Sequence, residues 1–356
     1  MQFLRKRLQI LFFGTSKEVP ILTIKDLSAQ TGYSVGTISR VLNNQPNVSQ
    51  KARETILRAA AQCGFQLNAD AKQLKQQHSN TILVLVKGTN NKIFSLLVER
   101  IQDWIAETKY ALVVDYMDEA ENEVLRALQL IREKKPLGIL FLGGERENFL
   151  ADFDKIHVPC VLVTNDASRF PFPNLSSVSS DDQRAGRIAI EHLVSLGHRK
   201  IALIAGDHTH SDIGRLRYEG AMDAFREHGI SFDPDADCET VRYTCQAGYD
   251  AAQRLLAQGR EFTAIFAMSD VMAVGAIRGL RDAGKNVPED VSVVGFDGVE
   301  LGEYYIPRLA SISQNVDALA ARSFSMLLHH IEDHTAAHYE ILPVRLLDRE
   351  SARKIN

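Results

Sequence analysis

From residue 80 onward the hydrophobic positions fall into short continuous runs, at 81–86, 110–114, 138–142, 160–163, 200–205, 263–267 and 291–296. Most are rich in branched side chains, as expected of parallel strands buried on both faces. Between them the apolar residues recur at helical spacing, which predicts helices over 94–107, 121–133, 182–195, 217–228, 247–258 and 270–283. Strand and helix alternate, the pattern of an α/β fold. The series before and after about residue 178 are comparable, so two similar lobes are expected, with the segment 313–333 returning to the first. In such folds ligands sit at the carboxyl ends of the strands, so facing lobes enclose a cleft.

The first part of the chain is patterned differently. Thr23 can cap a helix over 24–31, with Asp26 three residues on, and Gly32-Tyr33 breaks it. Ser34 is placed to cap a second helix, Val35-Gly36-Thr37-Ile38-Ser39-Arg40-Val41-Leu42. Ile38, Val41 and Leu42 share one face, which leaves Val35, Gly36, Thr37, Ser39 and Arg40 pointing outward. Asn43 to Asn47 is a loop by composition, and Ser49 caps a third helix that ends before Gly64. Two short helices joined by a tight turn form a helix-turn-helix, whose second helix fits the major groove of DNA. Arg40 can bind a guanine edge through two hydrogen bonds, and Val35 can meet a thymine methyl. Thr37 and Ser39 suit phosphate oxygens, and Gly36 permits close backbone approach. The alternative is a generic helical hairpin with a solvated face. Beyond it, Asn68 can start a short helix containing Leu74 between Lys72 and Lys75. That leucine is suited to wedge between base steps in a minor groove or, equally, to dock on its own domain.

Charge sharpens this division. Residues 1–78 hold 11 Lys/Arg against 4 Asp/Glu, whereas the remainder holds 30 against 41. A basic head on an acidic body points to an anionic partner for the head alone, with nucleic acid foremost. The 356 residues suffice for two or three domains, and 45% hydrophobic with 24% charged residues excludes a wholly disordered chain. No apolar run reaches the ~18 residues of a membrane span. Arg5-Lys6-Arg7 and the apolar Leu8-Gln9-Ile10-Leu11-Phe12-Phe13 mimic a leader peptide, but no small-x-small cleavage site follows. Residues 1–20 are therefore expected to be a disordered extension. Cys63, Cys160, Cys238 and Cys245 are widely spaced with no CxxC pair, which favours a reducing, cytoplasmic compartment.

Several polar residues stand at expected strand tips: Asp297 after 291–296, Ser269 and Asp270 after 263–267, Arg217 at a helix start, Gln314 after Ile312, and Phe94 after the first strand. Arginine, carboxylate and an aromatic face suit a polyhydroxylated ligand or a base. Each is also a plausible cap or surface charge, and Asp270 reads first as an N-cap.

Together these features resemble the lactose/galactose repressor (LacI/GalR) family of bacterial transcription regulators, from Thr23 to Ser351. The carrying segments are Thr23-Ile24-Lys25-Asp26-Leu27, Gly32 to Asn43, Leu193-Val194-Ser195-Leu196-Gly197-His198-Arg199-Lys200-Ile201, and Val287 to Asp297. The resemblance implies an all-α helix-turn-helix head (21–66), a hinge helix and linker (67–79), and an α/β core of two Rossmann-like lobes similar to periplasmic binding proteins. The N-lobe would comprise 80–177 and 313–345, the C-lobe 178–312, and a tail 346–356. By position it implies Val35, Gly36 and Arg40 as base readers, Thr23, Thr37, Ser39 and Asn43 as backbone contacts, and Leu74 as the intercalating hinge leucine. Phe94, Arg217, Tyr243, Ser269, Asp297 and Gln314 would line the effector cleft. Departures are Phe65-Gln66-Leu67-Asn68 where the family reads Tyr-x-Pro-Asn, Lys72 where arginine is usual, and Lys92 where proline is usual. The first two are expected to weaken hinge formation, and the third bears on the ligand's charge. A subset of the family carries a C-terminal leucine heptad for tetramers; this chain ends soon after Arg353, so a homodimer is expected.

An enzyme is not expected: GxSxG, GxxxxGK[ST] and HExxH are all missing. His330, His334 and His338 fall at i, i+4 and i+8, a stripe that reads as a solvated helix end rather than a metal site. No cofactor or metal is expected. The expected function is a cytoplasmic, nucleoid-associated repressor of carbohydrate-utilisation genes. It would bind a pseudo-palindromic double-stranded operator and a small effector, foremost a sugar. The alternatives are a purine-, nucleoside- or sugar-phosphate-responsive regulator, and a sugar-binding receptor without DNA function.

Overall fold

In the computed structural model, described for residues 24–42, 48–63, 80–88, 92–209 and 211–355, the chain divides into two units, Met1–Gln77 and His78–Asn356. The first contains α1 (Ile24–Thr31), α2 (Val35–Leu42) and α3 (Gln50–Gln62). Leu27, Ile38, Val41 and Ile56 close a small core between them. Gly32 takes φ +71° at the turn, a conformation that suits glycine, and the Ser28 hydroxyl donates to the Tyr33 carbonyl to hold it. Ser34 and Ser49 cap α2 and α3, accepting from Thr37 N (3.2 Å) and Ala52 N (3.4 Å).

The second unit has two six-stranded sheets. The first is built from β1 (Thr81–Lys87), β2 (Ala111–Met117), β3 (Gly138–Leu142), β4 (Cys160–Thr164), β5 (Leu175–Ser180) and, from the far end of the chain, β11 (Tyr339–Leu342). Its order is β11-β5-β4-β3-β1-β2 and all its pairs are parallel, with Leu85 opposite Phe141 in the β1–β3 register. The second sheet holds β6 (Ile201–Ala205), β7 (Cys238–Thr240), β8 (Ala264–Ala267), β9 (Ser292–Asp297), β10 (Ala310–Ser313) and β12 (Arg345–Leu347), in the order β12-β10-β9-β8-β6-β7. Only β12 runs antiparallel. β1, β3, β4, β6, β8 and β9 are buried along their whole length, as strands covered by helices on both faces must be.

The chain passes between the sheets three times: after β5, after β10, and between β11 and β12. The helix Val316–Glu332 packs Leu319, Phe324 and Leu327 against β3, β4 and β5, which returns it to the first sheet as expected. The two-lobed α/β core with a helical head is the expected fold class.

Three local expectations are corrected. The helix containing Arg217 starts at Asp212, because Ser211 supplies the cap, so Arg217 lies in its second turn. Asp270 is not a cap: Ser269 holds the cap position, and the Asp270 carboxylate instead accepts from Val299 N (2.8 Å) and Ser311 Oγ (2.6 Å). The histidine stripe is not one helix face, since the helix ends at Glu332 and His334 takes φ +53°. His330 is buried against the Ser176 hydroxyl at 2.9 Å. Strands β5, β7 and β12 were not expected from the hydrophobic pattern, and β10 was expected only through its end at Ile312. The stretch expected as a tail after 345 includes most of β12.

Candidate functional site

Between the two sheets lies a cleft of about 630 Å³. Its walls are the loops that follow the carboxyl ends of the strands, where partial charges and backbone groups left by strand and helix ends converge. From the first lobe come Lys87 (end of β1), Phe94, Asp118 and Glu119 (after β2), Gly143 to Glu145 (after β3), and Thr164 and Asn165 (end of β4). From the second come Asp207 and Thr209 (after β6), Arg217, Arg242 and Tyr243 (after β7), and Gln314 (after β10).

Four of the six residues expected in the cleft line it: Phe94, Arg217, Tyr243 and Gln314. The Phe94 ring lies over Gly143, where an added Cβ would meet it at 3.1 Å. Arg217 is 5% exposed. Its Nε donates to Asp182 (2.7 Å), its Nη1 to the Met268 carbonyl (2.9 Å), and its guanidinium stacks on Phe296 at 3.5 Å from the ring centre. Burial opposes its charge, but Asp182, Tyr243 and Asp297 surround it and hold its pKa above the usual value. Burial pushes the Asp182 carboxyl up, against the pull of Arg217. The Tyr243 hydroxyl is buried without a hydrogen-bond partner among the described residues, and its pKa is raised by that burial. A buried hydroxyl left unpaired is costly, so it marks a position where a ligand group is wanted.

Ser269 and Asp297 stand one layer behind the wall. Asp297 accepts from Gln314 Nε2 (2.9 Å) and from Ser269 Oγ (3.2 Å), and Gln314 in turn accepts from Ser180 Oγ (2.8 Å). Asp297 is held at φ +111°, a strained conformation for a non-glycine residue. Burial lifts its pKa to about 6, although Arg217 and its hydrogen-bond donors pull it down. Asp270 lies close by and is pushed to about 8 by burial and by Asp297.

Sequence reasoning missed Lys87, Asp118, Glu119, Glu145, Thr164, Asn165 and Arg242. Each follows or ends a strand, so the strand-tip rule already applied to Asp297 extends to all but Arg242, which follows the unexpected β7. Lys87 is buried and donates to Glu123 (2.7 Å), to Glu145 (3.4 Å) and to the Glu121 carbonyl. Arg242 reaches across the mouth to Asp118 (3.1 Å) and Glu119 of the other lobe. Thr164 takes φ +79°, an outlier for a β-branched residue. Asn165 is fixed by donating to the Gly144 carbonyl at 3.1 Å. Lys92 opens the helix Lys92–Ile105, is exposed, and is not on the cleft wall.

In the helical unit, α2 presents Val35, Gly36 and Arg40 to solvent, while Thr37 and Ser39 are half-buried. The Thr37 hydroxyl pairs with Ser34 Oγ at 2.9 Å, which pins the first turn. Thr23, Asn43 and Leu74, expected DNA contacts, lie outside the described residues. Among the described residues no cluster of three or more His, Cys, Asp or Glu could hold a metal. No described helix is long and apolar enough to cross a membrane.

Comparison with known proteins covers both units. A family described as bacterial regulatory proteins, lacI family, matches residues 23–68, and one described as periplasmic binding protein-like domain matches 190–352. The HTH-type transcriptional regulator MalR of Clostridium butyricum is 33% identical over 94% of this chain and 100% of its own. Catabolite control protein A of Priestia megaterium is 30% identical over 93% and 99%. Among solved structures, the lac repressor dimer bound to operator and an anti-inducer matches with TM-score 0.72 at 27% identity, over 93% of this chain and 99% of its own. The transcriptional regulator CelR in complex with cellobiose matches with TM-score 0.69 at 27% identity and the same coverage. With both the reading head and the two-lobed cleft in place, the chain belongs to the lacI family of bacterial regulatory proteins.

Proposed function

We propose that this protein is a ligand-responsive, DNA-binding transcription regulator and not an enzyme. It acts as a homodimeric repressor of carbohydrate-utilisation genes in the cytoplasm, associated with the nucleoid. The observation that carries the reading is the pairing of an exposed α2, presenting Val35, Gly36 and Arg40, with a cleft whose floor holds Arg217, Gln314 and the unpaired Tyr243 hydroxyl. Val35, Gly36 and Arg40 read base edges, and Thr23, Thr37, Ser39 and Asn43 fix the helix on phosphates. Leu74 intercalates from the hinge segment. Phe94, Arg217, Tyr243 and Gln314 contact the effector, with Ser269 and Asp297 supporting them from behind.

A sugar is the effector class this cleft suits: an aromatic face, an arginine and amide and hydroxyl groups match a ring with hydroxyls around it. The CelR structure holds cellobiose, and a related regulator from Enterococcus faecium holds ribose. For dimerisation, Leu301, Tyr304 and Ile306 form an exposed apolar strip, with Tyr304 75% and Ile306 76% exposed. Sugar binding changes the angle between the lobes, and the hinge passes that change to the heads, a coupling typically worth about 1–3 kcal/mol and necessarily reciprocal.

The test is selection of a duplex from a random DNA library with the full chain, followed by fluorescence anisotropy with and without sugars. A pseudo-palindromic site whose affinity shifts severalfold with a sugar supports the reading. Binding to all duplexes alike, with a log–log salt dependence and no sequence preference, refutes it.

A further inference from the structure

The cleft wall carries three cationic side chains among the described residues, Lys87, Arg217 and Arg242. Each is already paired with a carboxylate: Lys87 with Glu123 and Glu145, Arg217 with Asp182, and Arg242 with Asp118 and Glu119. The wall's own carboxylates, Asp118, Glu119, Glu145 and Asp207, outnumber those cations. Glu123 and Asp182 stand directly behind it, both almost fully buried. Lys92 is exposed and does not line the cavity.

From this we infer that the effector is an uncharged saccharide of about two rings, and that the cleft rejects phosphorylated sugars. The inference rests on the sugar reading above and narrows it. A phosphate brings two negative charges out of water and must recover that cost from free cations or convergent N–H groups. Here taking Lys87 or Arg217 would leave Glu123 or Asp182 buried and unpaired, and at the mouth the phosphate would face Asp118 and Glu119 as well as Arg242. A neutral hydroxyl needs no such exchange. It accepts from the guanidinium and donates to the carboxylate, so a paired Arg and Asp form a ready partner for neighbouring hydroxyls.

Size points the same way. A hexose fills roughly 200 Å³ at the density of a packed interior. The cleft's 630 Å³ therefore holds two rings with ordered water, and is generous for one. Phe94 and Tyr243 belong to opposite lobes, so each ring has an apolar face available.

The test uses the full chain and matched pairs: maltose, cellobiose, trehalose, sucrose and glucose, each beside its 6-phosphate (6′ for maltose and cellobiose), with hypoxanthine and guanine as outgroup. Affinities are read by calorimetry. The expected result is a neutral disaccharide as strongest ligand, its phosphorylated twin at least 100-fold weaker and glucose at least tenfold weaker. A phosphorylated member, or glucose, as the strongest ligand overturns the inference while the sugar reading stands. A purine as strongest ligand, or no response to any saccharide, overturns both. The charge argument has its own arm. The double variant Asp118→Asn/Glu119→Gln frees Arg242 and should narrow the gap between the twins at least tenfold. An unchanged gap refutes the role assigned to the paired cations.

Discussion

Asp270 should make the stability of the core depend on pH in a way one substitution removes. Its carboxyl is 1% exposed, and its partners are the Ser311 hydroxyl and the Val299 N–H rather than a cation. Burial, and then the negative charge of Asp297, lift its pKa from 3.8 to about 8. Between those values the folded chain holds a proton that the unfolded chain has released, so stability falls as pH rises through the window. Asp297 contributes in the same direction, but only up to about pH 6. Between pH 6 and pH 8 the histidines His192, His198 and His330, whose pKa values burial lowers, act in the opposite direction, but they cancel when the native chain is compared with a variant at Asp270. Two pH units at 1.36 kcal/mol each correspond to about 3 kcal/mol lost through Asp270.

Asp270→Asn keeps the shape, accepts from Val299 N through its carbonyl and donates to Ser311 Oγ through its amide. It carries no proton to lose at this position, so the loss due to Asp270 should vanish from its stability over the same interval. For a domain of this size about 3 kcal/mol corresponds to roughly 5–10 °C in Tm. The assay is thermal unfolding of both proteins at pH 6, 7 and 8. The Tm difference, variant minus native, should grow steadily towards pH 8. A difference constant within a degree across the three values would mean that Asp270 is ionised throughout, and the buried carboxylate pair would need another account.

Other perturbations test other parts of the molecule. Arg40→Ala should cost about 1–3 kcal/mol on the preferred operator and relax the choice at one base pair; an equal loss on every duplex in a competition assay would make Arg40 a phosphate contact instead. Gly206→Ala places a Cβ 2.1 Å from the Tyr243 hydroxyl, so it should weaken effector binding more than tenfold by calorimetry while ligand-free operator binding persists. Gly186→Ala sets a Cβ 2.0 Å from the Arg217 carbonyl, and forcing the helices apart should cost about 1–3 kcal/mol in urea unfolding. Lys87→Met strands the buried Glu123 and should cost about 3–5 kcal/mol, whereas Lys87→Met/Glu123→Leu should recover most of it; a double variant as unstable as the single one would show that shape rather than charge governs the site.

Six of the seven expected strands emerged from the sequence because each is a run of apolar residues buried on both faces; the seventh, β2, is a half-exposed edge strand that is apolar nonetheless. β5 escaped for the opposite reason. Its sequence, Leu175 to Ser180, holds four serines, yet every residue is buried. Three of the four hydroxyls have partners: Ser176 has His330 and His338 N, Ser177 has Ala167 N, and Ser180 has Gln314. Hydrophobic periodicity is blind to a polar strand most of whose partners lie more than a hundred residues away. The same limit explains the cleft. Arg217 and Gln314 were legible from their neighbourhood of strand tips, and Tyr243 from resemblance. That Asp297 serves Gln314 rather than the cavity, or that Lys87 is neutralised by Glu123, depends on contacts between loops that no local pattern encodes. In the head, short-range capping and turn chemistry settle the structure, and there the reading of α1, α2 and α3 needed no long-range information.

The crossovers explain why a ligand in this cleft is well placed to move the lobes. They are tied to one another: Asp181 N donates to the Leu342 carbonyl at 3.0 Å, joining the first crossover to the third, and Ser180 Oγ donates to Gln314, joining it to the second. Gln314 is thus both part of the hinge and part of the cavity wall, so a group that competes for its amide acts on the hinge directly. At the opposite side, the mouth, the lobes meet through Arg242 with Asp118 and Glu119, all close to solvent. Exposed pairs of that kind are weak and screened by salt. The back of the cleft is therefore held by covalent chain and buried hydrogen bonds, and the front by contacts that yield easily. A ligand that favours one lobe angle over another would therefore work against weak contacts at the mouth, not against the buried back of the cleft.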